Sequence, residues 1–235
     1  MSAVYQLKNT TLNPHHLQIV KNNILKYSPF PEQVQIIVVT KTFSFKAIKS
    51  AEKQNLFYIG ENKVQETQQK IKNKQLNAKT KIHLIGHLQT NKAKKAVQTY
   101  DVIQSVDSLK LLLKIDKVAQ QNNKKQKIFL QTKLIDKKTQ TGLSKQTTLL
   151  LAKKTQKLQN IQLCGLMSIG PNTTKKNETQ RHFIEIKEIQ KKIQQTIAPT
   201  CKFLSLGMSQ DYQIALQIGA THIRLGTFLF ENRYE

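Results

Sequence analysis

Apolar residues fall along this chain in short runs separated by amphipathic stretches. Residues 35–40 are mostly β-branched and predict a strand. The segment 45–54 sets Phe45, Ile48 and Ala51 on one side of a helix. The alternation continues, with strands at 56–59, 82–85, 102–105, 127–132, 161–167, 203–206 and 222–225. Helices are predicted between them at 62–72, 91–99, 108–121, 144–158, 178–196 and 211–218, and a further helix at 12–26 comes first. Asn62, Ser108 and Ser144 read as N-caps, Gly60 as the stop of the second strand and Gly219 as a helix C-cap. Eight strands, each followed or nearly followed by a helix across short connections, suit a (β/α)8 TIM barrel better than an open doubly wound sheet. No linker, low-complexity block or internal repeat interrupts the pattern, so residues 1–235 are expected to form one domain.

Composition narrows the function classes. The net charge of +24 suggests nucleic acid or an anionic surface as partner. The charge is almost all lysine, however, with arginine only at Arg181, Arg224 and Arg233. Phosphate- and base-reading surfaces lean on arginine forks and interleaved aromatics. Here lysine is spread over every predicted helix among Gln, Asn and Ile, as a coding bias would leave it on solvated faces. No nucleic-acid partner is expected. Nor is a membrane partner, since no stretch approaches the ~20 apolar residues of a span. The first nine residues lack an apolar signal core, so a cytoplasmic location is expected. Cys164 and Cys201 lie beside apolar residues and read as reduced core thiols. No Cys/His group has metal spacing, and His15-His16 reads as a solvated pair.

In a barrel of this kind, chemistry sits where strands end at the C-terminal face. Lys41, Gly60-Glu61-Asn62, Gly86-His87, Ser168, Gly207-Met208-Ser209 and Gly226-Thr227 all fall at such ends. A lysine at the end of a buried strand is costly unless its pKa falls or a partner is present. Such a lysine suits Schiff-base chemistry with an aldehyde. The other reading of Lys41 is a side chain snorkelling to solvent. Gly207-Met208-Ser209 and Gly226-Thr227 follow the last two strands, where these barrels often bind phosphate. An aldehyde that carries a phosphate is pyridoxal 5′-phosphate. Ser209 also reads as an ordinary N-cap, and Asn62 as either a cap or a site residue. Arg224 is either a rim salt bridge or the partner of a pyridine nitrogen. In the second role guanidinium keeps that nitrogen unprotonated and weakens the ring as an electron sink. His83 and His87 read as ring-stacking or acid–base groups, or as histidines closing a polar network.

Several stretches together resemble the pyridoxal phosphate homeostasis protein family. They are Val39-Thr40-Lys41-Thr42, Gly60-Glu61-Asn62-Lys63-Val64-Gln65-Glu66, His83-Leu84-Ile85-Gly86, Leu88-Gln89-Thr90-Asn91-Lys92, Cys164-Gly165-Leu166-Met167, Leu204-Ser205-Leu206-Gly207-Met208-Ser209 and Ile223-Arg224-Leu225-Gly226-Thr227. The resemblance implies a fold-type III barrel like the N-terminal domain of alanine racemase. It implies a Schiff base from Lys41, phosphate contacts from Ser209, Gly226 and Thr227 with Met208 near them, and Arg224 on the pyridine nitrogen. Asn62 and His83 complete the expected cofactor-binding set. Members are thought to bind, buffer or deliver the cofactor without robust turnover, with dependent apoenzymes as recipients; a monomer is expected. The competing reading is an amino-acid racemase or lyase. Racemisation needs a second base, and neither Tyr58 nor Tyr212 is evidently placed as one. Three positions depart from the family pattern: His87 where proline is usual, Gln140 where lysine often precedes the loop glycine Gly142, and Glu231 where glycine is usual. Lys137 and Lys138 are neighbours that could replace the missing lysine.

Overall fold

The computed structural model describes residues 11–134 and 141–230. Gln140, Lys137, Lys138, Glu231, Arg233 and the first nine residues, which carried sequence readings, lie outside them. Eight parallel strands close into a barrel in chain order. They are β1 (Gln35–Val39), β2 (Tyr58–Glu61), β3 (Lys81–Leu84), β4 (Val102–Val106), β5 (Gln126–Gln131), β6 (Ile161–Met167), β7 (Phe203–Ser205) and β8 (His222–Leu225). The ring closes where Gln35 to Val38 of β1 pair with His222 to Leu225 of β8, while β7 and β8 share the single register pair Ser205–His222. Around it lie α1 (Pro14–Tyr27), α2 (Phe45–Lys53), α3 (Val64–Ile71), α4 (Ala93–Thr99), α5 (Leu109–Gln121), α6 (Lys145–Thr155), α7 (Lys176–Thr196), α8 (Tyr212–Ile218) and the short α9 (Thr227–Phe230).

The core has two shells because strand side chains alternate between faces. Ile36, Val38, Ile59, Leu84, Ile103, Leu166 and Leu225 belong to the large cluster between barrel and helices. Inside the barrel sits a smaller apolar cluster of Val102, Phe129, Cys164 and Met167. The strands are buried on both faces, so they read as continuous apolar runs.

Ser108 and Ser144 cap α5 and α6 through their hydroxyls, and Gly219 ends α8 at φ 96°, all as the sequence predicts. Gly60 does not stop β2, which runs on to Glu61. A Cβ at Gly60 would come within 2.8 Å of Ile37 Cγ2, so glycine relieves crowding there and makes no turn. Because the strand is longer, α3 begins at Val64 behind Lys63, and Asn62 is no helix cap. His16 is no solvated histidine either. Its Nδ1 is bonded to the Phe228 carbonyl at 2.7 Å, its ring stacks on Phe228, and the Asn13 amide donates to the Leu229 carbonyl, tying α1 to α9.

Candidate functional site

A cavity of about 490 Å³ opens at the C-terminal mouth of the barrel. Seven of the eight predicted site residues line it: Lys41 after β1, Asn62 after β2, Met208 and Ser209 after β7, Arg224 within β8, and Gly226 and Thr227 beyond it. Val39, Ile85, Met167, Ile169 and Asp211 add to its wall. Apolar walls with a few convergent polar groups make a ligand site.

The loop after β7 owes its shape to two residues. Gly207 takes φ 84°, where a Cβ would meet Ala215 and the Tyr212 backbone. Asp211 draws the Met208 amide onto its carboxylate at 2.6 Å. Burial raises the Asp211 carboxyl pKa, opposed by that amide and by Arg224. Asp211, not Ser209, stands at the N-cap of α8. The amides of Ser209, Gln210 and Thr227 and the hydroxyls of Ser209 and Thr227 donate to no described residue. This cluster of unspent donors suits a phosphate.

Arg224 makes no rim salt bridge with any described carboxylate. It is 4% exposed and lies within the barrel. Its Nη1 donates to the Ser205 carbonyl at 2.6 Å and Ser205 Oγ at 2.9 Å, and its Nη2 to the Ser168 carbonyl at 2.8 Å. Three of its five N–H groups are thus used on the protein. Burial lowers its pKa to about 10, with Asp211 acting the other way, so it stays charged at neutral pH. A charged, fixed donor facing the cavity suits a ring nitrogen or another acceptor.

His83 is not part of the lining. It lies toward the other end of the barrel, its ring 5.5 Å from Tyr58 and 6.2 Å from His222. Its Nδ1 is 2.8 Å from Gln104 Nε2, and Gln104 Oε1 is 2.7 Å from Ser205 Oγ. The direction of this chain is fixed by chemistry. Guanidinium only donates, so Ser205 Oγ accepts from Arg224 and its hydrogen goes to Gln104 Oε1. The Gln104 amide nitrogen then donates to His83 Nδ1, which leaves the proton on Nε2. Burial first, then His222 and Lys127, hold the His83 pKa well below the usual histidine range. His87 is exposed and bonded to Asp107 at 2.9 Å, away from the cavity.

Gln104, Ser205 and Asp211 were not singled out from sequence. Gln104 did leave a signal, as a polar residue inside an apolar strand. Tyr58 packs among the histidines and the Tyr212 hydroxyl meets Asn23 at 2.7 Å, so neither lines the cavity.

The family described as alanine racemase, N-terminal domain, matches residues 15–233. The pyridoxal phosphate homeostasis protein of a Synechocystis species is 36% identical over 86% of this chain and 93% of that protein. The protein of the same name from Vibrio cholerae is 32% identical over 85% of this chain and 86% of its own. Among solved structures, PipY of Synechococcus elongatus without PLP superposes with a TM-score of 0.84 at 34% identity, covering 92% of this chain and 98% of PipY. PipY with PLP bound gives 0.80. Alanine racemase of Clostridium difficile shares the fold, with a TM-score of 0.73 at 17% identity, over 96% of this chain and 61% of the racemase. The chain belongs to the alanine racemase N-terminal domain family and, within it, to the pyridoxal phosphate homeostasis proteins.

Proposed function

We propose that this chain binds pyridoxal 5′-phosphate through Lys41 and holds, buffers or delivers it inside the cell, without sustained catalysis. The observation that carries this is the meeting of Lys41, Arg224 and the unspent donors of Ser209, Gln210 and Thr227 on one cavity. The cofactor's aldehyde condenses with a lysine amine, forming C=N and releasing the carbonyl oxygen as water. Ser209, Thr227 and their loop amides would hold the phosphate; Arg224 would donate to the ring nitrogen and keep it unprotonated. Met208 would lie near the phosphate and Asn62 would complete the lining, while His83 would act only at a distance, through Gln104 and Ser205. The names of the homeostasis relatives and the PLP-bound form of PipY support the reading.

Lys41, Asp211 and Arg224 are the titratable side chains in the lining, and Asp211 is tied to the Met208 amide. This arrangement provides poorly for the two opposed bases of a racemase. We place the whole chain, as one domain and a monomer, in the cytoplasm, with apoenzymes that need the cofactor as recipients and no nucleic-acid partner. The purified protein with pyridoxal 5′-phosphate should absorb in the visible, and borohydride should fix the adduct on Lys41. A Lys41→Ala chain should lose both signals. A full-strength adduct on another lysine would overturn the assignment.

A further inference from the structure

The stretch Gly60 to Glu66 carries two acidic residues to which the binding site gives no task. Glu61 is 1% exposed at the end of β2. Its Oε1 accepts from the Thr40 hydroxyl at 2.5 Å and from Lys70 Nζ at 2.5 Å. Lys70 reaches in from α3 with its side chain 5% exposed, and also donates to the Thr40 carbonyl at 2.8 Å. The Thr40 amide donates to the Gly60 carbonyl, and the Thr40 carbonyl also accepts from the Phe43 amide. Every polar group of Thr40 is therefore held. On the other side of Lys41, the Thr42 amide donates to Glu66 Oε1 at 3.0 Å, and Thr42 sits at φ 69°. That is left-handed backbone, which a β-branched residue adopts only when its surroundings impose it.

We propose that Glu61 and Lys70 are positioning residues that aim Lys41 at its aldehyde; this rests on the Schiff-base reading of Lys41. A buried ion pair is a costly way to gain stability, since desolvation cancels much of the attraction. It does give fixed geometry. One ammonium with three donors bridges a carboxylate and a backbone carbonyl together. The clamp grips the residues flanking Lys41 from the neighbouring βα unit, so the lysine's Cα is set by β2 and α3 as well as by β1. Lys70 Nζ spends its contacts on the Glu61 carboxylate and the Thr40 carbonyl and lies outside the cavity lining.

The test compares two ligands on the full chain and on Lys70→Met, Glu61→Gln and Lys70→Arg. Pyridoxine 5′-phosphate carries ring and phosphate but no aldehyde, so its affinity reads binding alone. The rate at which borohydride-trapped pyridoxal 5′-phosphate appears on Lys41, at saturating ligand, reads positioning. Small misplacements of reacting groups cost up to about 10²-fold, so Lys70→Met and Glu61→Gln should slow capture by about tenfold or more. Pyridoxine 5′-phosphate affinity should stay within about twofold, and Lys70→Arg should recover part of the rate. Thr40→Val removes only the hydroxyl donor and carries the same comparison if Lys70→Met or Glu61→Gln does not fold. Capture on Lys41 at an unchanged rate in the folded variants would overturn the positioning role. An adduct away from Lys41 in the unsubstituted chain would instead overturn the Schiff-base reading itself.

Discussion

Replacing Gln104 by leucine probes the polar chain that runs from Arg224 to His83. Gln104 is fully buried, and leucine nearly conserves its volume, so the perturbation is the loss of two hydrogen bonds. The Ser205 hydroxyl loses its acceptor and His83 Nδ1 loses its donor. Leaving a buried polar group unpaired costs about 1–3 kcal/mol, so the two together cost ~2–6 kcal/mol, reduced somewhat by the apolar surface that leucine buries. For a chain of this length each kcal/mol moves Tm by about 2–4 °C, so a fall of at least ~4 °C is expected in a thermal melt. Ser205→Ala alone strands Gln104 Oε1 and one Arg224 N–H, whereas the double variant strands His83 and that same N–H and leaves no glutamine oxygen unpaired. The double variant should therefore cost less than the sum of the single ones, by about 0.5–3 kcal/mol for groups in one network. Nitrogen shifts of His83 should show the proton on Nε2 in the unsubstituted chain. Additive costs, or a proton on Nδ1, would refute the directed chain.

Acidification should destabilise the protein. Burial, reinforced by Arg224, lowers the His222 pKa from its ordinary 6.5 to about 4. Between those values the unfolded chain binds a proton that the folded chain refuses, so stability falls with pH, by about 3 kcal/mol from this group at full expression. His83 acts in the same direction, while the raised carboxyls of Asp211 and Glu61 oppose it toward the lower end. Denaturant midpoints from pH 7 down to pH 4 check the sign, and a midpoint that rises on acidification contradicts it. Gly86→Ala would place a Cβ 2.5 Å from the Asn62 carbonyl oxygen, so the cavity wall must shift. We expect about 1–3 kcal/mol of destabilisation and weaker cofactor binding; calorimetry and titration that match the parent would show that the loop yields freely. Ser209→Ala combined with Thr227→Val should weaken pyridoxal 5′-phosphate while sparing pyridoxal, because charge-assisted hydrogen bonds are worth roughly 1.5–3 kcal/mol each. Equal losses for the two ligands would assign these residues to the fold alone.

The strands and the rim were legible in the sequence because strands buried on both faces leave short apolar runs between amphipathic helices, and loop glycines such as Gly86, Gly207 and Gly226 follow several of those runs. The reading failed where a residue serves a distant neighbour. Gly60 looked like a terminator, yet Ile37 and Ile85 are what require it to lack a side chain. Asn62 looked like a cap because the strand before it was drawn too short. Gln104 meets Ser205 across the barrel, and Lys70 of α3 meets Thr40 in the neighbouring βα unit. Neither pairing has a local period or spacing to announce it. His83 joins the expected set through the motif around Gly86, but strand alternation points it down the barrel interior, where it meets Gln104.

The seam between β1 and β8 has a consequence for how this molecule opens. Lys41 leaves the first strand of the ring, while Arg224 and Thr227 come with the last, so the cavity exists only when the ring is shut. A ligand that bridges the two sides binds the closed form alone, and stabilises it by RT ln(1 + [L]/Kd). On its other side β8 is laced to the β7 segment by the Thr221, Leu206 and Arg224 amides, which donate to the Leu204, His222 and Gly207 carbonyls, so the β1–β8 joint is the one that the ligand itself spans. Amide exchange along the β1–β8 seam should therefore slow when ligand is added. The cofactor would act as a clasp across the joint, and its release would be coupled to a loosening of that joint.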